Sequence, residues 1–500
     1  VASRGLSEEF ARQLAGALDE REEWVCAEVP DGPAVLLRRG EWEVSLAHGQ
    51  AFLAFWTRAG TAIWRVLSCE RSARGLMVEV ERRAGAEKCW LRFMPRASEG
   101  RTQIEEARRA RCAQIVELFR QRFAGARILS QRLSRSARPG EAGRFARILL
   151  SQGRTLRAIT GPVAELKTHE TDAFLASSLI WFARINRRDH SAKLCLAVDS
   201  PLAEDLAERV VLLRESWRRC IEVYKLKDRS LEPQPIPSLE DLLADAPPLR
   251  VARAFELSQT ARRIQMLAPE AVEIARARHG ETLRFRGLSF ARVRRVVGGE
   301  RAWFGIERRR QLDESSWPEL CRLVEDLRAH RRAGAENKEH AFYRAEPEAW
   351  LEFMLKREIA ALDANLRLSP LHAQFRVAQS GESGRPIDLI AQRRDGRLVV
   401  IELKIKVDAG FVIQGADYWR RIEAQRRKGN LARFFPDVPI ADDPPMLYLV
   451  APMLAFPRKL HAIARLIRSE IEIHRIELNE DWRAGVRVVR RVRVGDEECA

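Results

Sequence analysis

Apolar and polar positions alternate along this chain in two distinct rhythms. From Trp24 to Met94, short apolar runs such as "AVLLRRG", "WEVSLAHG", "AFLAFWTRAG", "TAIWRVLS" and "LMVEVERRAG" are separated by glycine-bearing turns. That pattern predicts an antiparallel β-module, behind a short helix at 6–22. A helical period then runs through 103–123. Strand patterns follow at "RILSQRLS", "RFARILLSQ" and "TLRAIT", then a helix at "TDAFLASSLIWFARINRR", a strand "KLCLAVD", a helix "LAEDLAERVVLLRES" and a strand "CIEVYKL". This is an α/β order. The Pro-rich passage "LEPQPIPSLEDLLADAPPLR" reads as a linker, and a second β-rich stretch with a helix at 316–331 comes after it. Past a basic hinge, "HRRAGAENKEH", the order is helix "EPEAWLEFMLKREIAALD", strands "AQFRVAQ", "IDLIAQ" and "RLVVIELKI", helix "FVIQGADYWRRIEAQRR", strand "MLYLVAP", helix "RKLHAIARLIRSE", and strands "IEIHRIEL" and "GVRVVRRVRV".

The expected fold class is therefore α/β and β, multidomain. Residues 1–100 form an antiparallel β-module, 101–230 an α/β module, 231–335 a Pro-rich linker with a second β-rich module and helix, and 336–500 a second α/β domain. A length of 500 residues agrees with several modules rather than one core. The two α/β segments have the same order of elements, and at a shift of 237 "AELKTHETDAFLASSLIWFARI" lies over "IELKIKVDAGFVIQGADYWRRI". Glu165, Leu166, Lys167, Phe174, Arg184 and Ile185 are then identical to their partners. The expectation is two tandem β plus α/β halves, set beside chance likeness of similar elements.

Composition narrows the function. Hydrophobic residues at 46% and charged residues at 31% describe a folded globular chain. The longest apolar run, "FLASSLIWF", is half of the roughly 18 residues that span a bilayer, so no membrane partner is expected. The start "VASRGLSEEFARQLAG" lacks a basic region followed by an apolar block, which predicts a cytoplasmic location. Eight scattered cysteines without a CxxC pair read as reduced thiols, and nine dispersed histidines supply no metal site or triad.

A formal charge of +17 and a pI near 10 point to a polyanion. Residues 336–500 are nearly balanced, with 28 Lys+Arg against 25 Asp+Glu, so the excess lies earlier. Between Ala107 and Thr160 stand thirteen Arg, no Lys and two acids, Glu117 and Glu141. Arg108, Arg111, Arg132, Arg135, Arg138, Arg144, Arg147, Arg154 and Arg157 are the candidate phosphate contacts, for DNA with RNA not excluded.

The chemistry concentrates in "IDLIAQRRDGRLVVIELKIK". Residues two apart on a strand share a face, so Glu402 and Lys404 point together while Leu403 faces the core. A three-residue loop centred on Asp395 predicts pairs whose numbers sum to 790, setting Asp388 opposite Glu402. Two buried carboxylates facing each other are unfavourable unless compensated, and hard Mg²⁺ or Mn²⁺ would compensate them. Lys404 would then orient or deprotonate a water and offset charge on a phosphate.

Asp388, thirteen residues, then Glu402-Leu403-Lys404 resembles the PD-(D/E)XK nuclease superfamily. Gln414 and Tyr418 match the QxxxY motif of its RecB-like and NucS-like branches, and Glu348 or Glu352, with Glu352 preferred, stands where its first helix supplies an acid. The family's Pro is displaced, the order here being Pro386-Ile387-Asp388. The resemblance covers about 345–480 and implies a restriction-endonuclease-like αβββαβ core. It further implies a metal-dependent endonuclease acting on DNA in repair or defence. Asp388, Glu402 and the Leu403 carbonyl would hold Mg²⁺ or Mn²⁺, Glu352 would assist, Lys404 would activate water, and Gln414 and Tyr418 would position it or a phosphate. The second reading is a non-catalytic nucleic-acid-binding protein that uses the same fold. The earlier "AELK" lacks an opposing acid: Arg147 or Ser151 stands for Asp388, and Ser177 and Trp181 for Gln414 and Tyr418. The earlier segment therefore reads as a degenerate copy without a metal site.

Overall fold

A computed structural model of the chain describes residues 2–29, 34–47, 49–57, 60–72, 75–82, 87–95, 98–135, 142–227, 230–245, 256–277, 280–296, 299–367, 372–375 and 387–494. It is a mixed α/β structure built on four sheets. The chain divides into two units, one of residues 1–171, 181–207 and 219–236, the other of 172–180, 208–218 and 237–500.

The first unit opens with a helix, Ala2–Asp19, against an antiparallel seven-stranded sheet drawn from 23–95. Its core is aromatic: Trp24, Phe55, Trp64 and Phe93 are buried and meet edge to face. A long helix, α1 (Ser98–Arg122), leads into a six-stranded sheet of β1 (Arg127–Arg135), β2 (Ala142–Gln152), β3 (Thr155–Pro162), β4 (Lys193–Asp199), β5 (Ile221–Lys227) and β6 (Ser230–Gln234). Strand β2 is antiparallel to its neighbours β1 and β3, β3, β4 and β5 are parallel, and β6 returns antiparallel. Helix α2 (Thr171–Asn186) lies between β3 and β4 in sequence, and α3 (Ser200–Val210) between β4 and β5.

The second unit contains a five-stranded antiparallel meander from 272–312 with a helix at Trp317–His330, and then a sheet with the same plan as the one above. Helix α4 (Pro347–Arg357) precedes β7 (His372–Phe375), β8 (Ile387–Gln392) and β9 (Leu398–Leu403); α5 (Phe411–Arg427) leads to β10 (Met446–Pro452), α6 (Leu460–Ala464) to β11 (Glu472–Leu478), and β12 (Val488–Arg493) closes the edge. Order and direction repeat those of β1 to β6: three antiparallel strands, two parallel steps, one antiparallel return.

Every residue of β9 is buried, as expected of a strand between an antiparallel and a parallel neighbour with α5 packed across it and β10. Gly415 permits that packing, since a β-carbon there would come within 2.9 Å of Leu449. The hairpin from β8 to β9 has the predicted register: Leu389 faces Ile401 and Gln392 faces Leu398, with Arg393 bonded to Arg397 around Arg394-Asp395-Gly396. Gly396 takes φ 85°, the left-handed third position such a loop requires.

Three stretches differ from expectation. Part of the Pro-rich passage is ordered: β6 pairs with β5, Pro233 being tolerable on an edge strand, and Leu239–Ala244 is a helix capped by Ser238. The helix expected at "RKLHAIARLIRSE" stops at Ala464, because the backbone at Leu466–Arg468 bonds instead to Leu212 and Arg214. The basic hinge is not a free linker, for Arg331 is fully buried within it. Its guanidinium donates to the carbonyls of Phe285, Arg286, Phe342, Ala345 and Glu346, at 2.7 to 3.3 Å, and lies over Trp350. Burial lowers its pKa to about 9.

Candidate active site

Asp388 on β8 and Glu402 on β9 continue the register set by Leu389 and Ile401. Asp388 accepts the Leu403 N–H at 2.9 Å. Glu402 is wholly buried; its Oε1 accepts from the Lys404 ammonium, while its Oε2 has no hydrogen-bond partner among the described residues. β9 ends at Leu403, whose side chain joins the core, and the Lys404 N–H extends the ladder to Val450 at 3.1 Å. The Lys404 ammonium also reaches the Leu403 carbonyl at 3.2 Å. It therefore sits on the same two acceptors, the Glu402 carboxylate and the Leu403 carbonyl, that the sequence offers to a cation.

Burial raises the Asp388 pKa to about 6, with Glu352 and Glu348 adding to the rise and Lys404 and the Leu403 N–H opposing it. Glu402 is pushed well above the usual carboxylate range, by burial first and then by Asp388. For Lys404 burial works downward, but Glu402, Asp388 and Glu348 together hold it above its ordinary value.

Both α4 acids contribute to this field, in different ways. Glu352 is buried and 3.5 Å from Lys356, which pairs with Glu273 at 2.7 Å. Glu348 is exposed, accepts the Ile405 N–H at 3.4 Å, and raises the pKa of Glu402 and Lys404 as well as that of Asp388. Glu348 thus acts on the Glu402–Lys404 pair as well as on Asp388, a distinction that helical spacing does not carry. On α5, Gln414 donates to the Tyr418 hydroxyl at 2.9 Å, and both are buried. Phe411, at the start of the same helix, lies 5.8 Å from the Lys404 ammonium.

Among the described residues no group of three or more His, Cys, Asp or Glu side chains is arranged to hold a metal ion. What the site offers is the two carboxylates of Asp388 and Glu402, with Glu402 Oε2 unpartnered among the described residues, and the Leu403 carbonyl.

Of the nine candidate arginines, Arg111, Arg144, Arg147 and Arg157 have partners within the fold. Arg111 pairs with Asp199 at 2.9 Å, and Arg144 forks onto Glu170 at 2.6 and 2.9 Å. Arg157 lies 3.4 Å from Glu222 and stacks on Phe123 at 3.9 Å. Arg147 is buried, donates to Thr160 Oγ1 at 2.7 Å, and lies 4.8 Å from the Trp181 ring. Burial, then Arg132 across the ladder, lowers its pKa to about 10. Arg108 is half-buried, Arg132, Arg135 and Arg154 are exposed, and Arg138 lies outside the described residues.

Glu165, Leu166 and Lys167 follow the end of β3 at Pro162 and are not on a strand. Pairing identifies the matching position instead: Thr160 faces Leu196, the fourth residue of β4, as Glu402 faces Leu449, the fourth of β10. Arg147, opposite Thr160, then stands where Asp388 stands.

No protein-family model, no curated protein and no solved structure matches the chain. No helix among the described residues is long and apolar enough to cross a membrane.

Proposed function

We propose that the second unit is a divalent-metal-dependent phosphodiesterase acting on nucleic acid, with DNA as the preferred substrate, and that its six-stranded sheet is a PD-(D/E)XK-type nuclease core. The observation that carries this reading is the buried, partnerless Glu402 Oε2 beside Asp388. Burial so disfavours the charged carboxylate, and a divalent cation completing that oxygen would restore it. Asp388, Glu402 and the Leu403 carbonyl would hold Mg²⁺ or Mn²⁺, which lowers the pKa of bound water and draws off charge from a phosphate. Lys404 leaves Glu402 to orient the attacking water and to meet charge on the phosphate. Glu348 and Glu352 hold the site's potential negative. Gln414 and Tyr418, already bonded to each other, present one amide and one hydroxyl from α5.

The first six-stranded sheet is, on this reading, a copy of the same core whose acids have been replaced. Exposed Arg132, Arg135 and Arg154 serve as phosphate contacts, and Arg111, Arg144, Arg147 and Arg157 support its internal structure. Cleavage of plasmid and single-stranded DNA with Mg²⁺ or Mn²⁺ tests the proposal. It should vanish in Glu402→Ala and Lys404→Ala proteins that still bind DNA. Salt-steep DNA binding without cleavage in the wild type would support the second reading, a binding protein built on a nuclease-like fold.

A further inference from the structure

The five-stranded meander of the second unit has two different faces. Leu283, Phe285, Val293, Ala302 and Phe304 are buried on one. Alternation along the strands Gly280–Phe285, Leu288–Val296 and Gly299–Phe304 turns Arg284, Arg292, Arg294, Arg301 and Trp303 to the other. There Thr282, Arg292, Trp303 and Gln311 stand in one row across four strands, and Arg294 faces Arg301 in the next. Arg294, Arg301 and Gln311 are exposed, and Arg284, Arg292 and Trp303 are half-buried.

These arginines, in contrast to Arg111, Arg144 and Arg157 of the first unit, enter no ion pair among the described residues. Glu273, the acid on the same face, is held by Lys356 at 2.7 Å. Burial first, then Arg294 and Arg309, lowers the Arg292 pKa, so the charges that Arg292 meets are of its own sign. The Arg294 guanidinium lies 6.0 Å from the Trp303 ring.

Cations about 5 Å apart across the strands and about 7 Å apart along them repel one another. A polyanion satisfies them together and releases its counterions on binding. The indole among them adds a demand that phosphate does not meet. Its face takes a flat ring, and in nucleic acid that is a base free of its neighbours. Bases in a duplex are covered on both sides, so a duplex would engage the arginines and leave Trp303 unused.

We propose that this face of the meander binds single-stranded nucleic acid, with Arg292, Arg294 and Arg301 on phosphates and Trp303 against a base. Lys356, which holds Glu273 on this face, is also 3.5 Å from Glu352, so the strand would lie beside the helix that carries the acids of the site. The inference names a substrate form for the nucleic-acid reading above and rests on that reading, but not on cleavage at Glu402.

Fluorescence anisotropy of the full-length protein with labelled oligodeoxythymidylate, in EDTA and beside a duplex of equal length, tests it. The Arg294→Ser, Arg301→Ser double variant should bind the single strand at least about tenfold more weakly, with a salt slope smaller by about 1.4, the share of two phosphate contacts. Trp303→Leu, which keeps apolar bulk without the ring, should weaken the single strand about tenfold and the duplex less than about twofold. Trp303→Phe should restore most of that loss. Melting temperatures confirm folding, and the two exposed arginines carry the test if Trp303→Leu is unfolded. Single-strand affinity unchanged in the double variant would overturn the proposal. So would equal losses on single strand and duplex in Trp303→Leu, which would reduce the face to a phosphate grip, or no single-strand binding at about 10 μM. Both variant effects seen in a protein that cleaves nothing would support this inference and sink the catalytic reading alone. Oligouridylate distinguishes the sources, tighter binding than to oligodeoxythymidylate identifying RNA and weaker binding DNA.

Discussion

The two six-stranded sheets share order and direction, yet carry opposite chemistry at matching places. On the first, Arg132 faces Arg147 and Arg147 faces Thr160; on the second, Asp388 lies across from Glu402. Burial pushes both sets toward neutrality, Arg147 down to about 10 and Asp388 up to about 6. The difference lies in compensation. Arg147 has the Thr160 hydroxyl and the Trp181 and Phe145 rings around it, whereas Glu402 has one oxygen held by Lys404 and one held by nothing described. One backbone plan therefore supports either sign of charge, the buried cation ringed by partners and the buried carboxylate keeping one oxygen without a hydrogen bond among the described residues.

The largest expected effect is on catalysis. Glu402→Gln should lower metal-dependent cleavage by about a thousandfold or more, while Thr160→Val at the matching place should change it by less than about twofold. Equal losses measured in one plasmid-nicking assay would erase the asymmetry. Next in size is stability at neutral pH. Asp388→Asn removes a carboxylate that is costly to ionise and should stabilise the metal-free protein by up to about 3 kcal/mol in urea unfolding. Arg147→Met removes a cation whose burial cost is offset by the Thr160 hydroxyl and the Trp181 ring, and should change stability by less than about 1 kcal/mol. The pH dependence of unfolding sharpens this. Because folded Asp388 binds its proton more tightly than the unfolded chain does, its contribution falls as pH rises from about 4 to about 6 and is flat above that. Urea midpoints of Asp388→Asn across this range should lack that component. Smallest is the effect of the ion itself: saturating Mg²⁺ should raise the melting temperature by a few degrees, corresponding to about 1 to 2 kcal/mol. The rise should be absent in Glu402→Gln.

Much of the second sheet was legible because its determinants are local. Asp395-Gly396 fixes the loop, the loop fixes the register, and the register alone brings Asp388 to Glu402. The direct hold of Lys404 on Glu402 and on the Leu403 carbonyl was not legible, since it depends on the strand ending at Leu403. The arginine cluster shows the limit more clearly. Counting acids between Ala107 and Thr160 finds two, but the partners of Arg111, Arg144 and Arg157 are Asp199, Glu170 and Glu222, which the fold brings in from beyond that window. The counter-charges of a run of one charge in sequence can thus lie outside that run. The same holds for the repeat: the shift of 237 aligns "AELK" with "IELK", but strand pairing puts Thr160, not Glu165, in the place of Glu402.

Arg331 bears on how much chain a working fragment needs. Its guanidinium ties the carbonyls of Phe285 and Arg286, on the five-stranded meander, to those of Phe342, Ala345 and Glu346, which lead directly into α4. Gly287, at φ 86°, lies so close to α4 that a β-carbon would fall 2.2 Å from the Ala349 carbonyl oxygen. The helix that carries Glu348 and Glu352 is therefore positioned by residues some sixty places upstream. A truncation at Glu336 would keep every acid and discard the clamp that aims two of them, so the smallest exchangeable piece of this chain is the meander and the α/β sheet together.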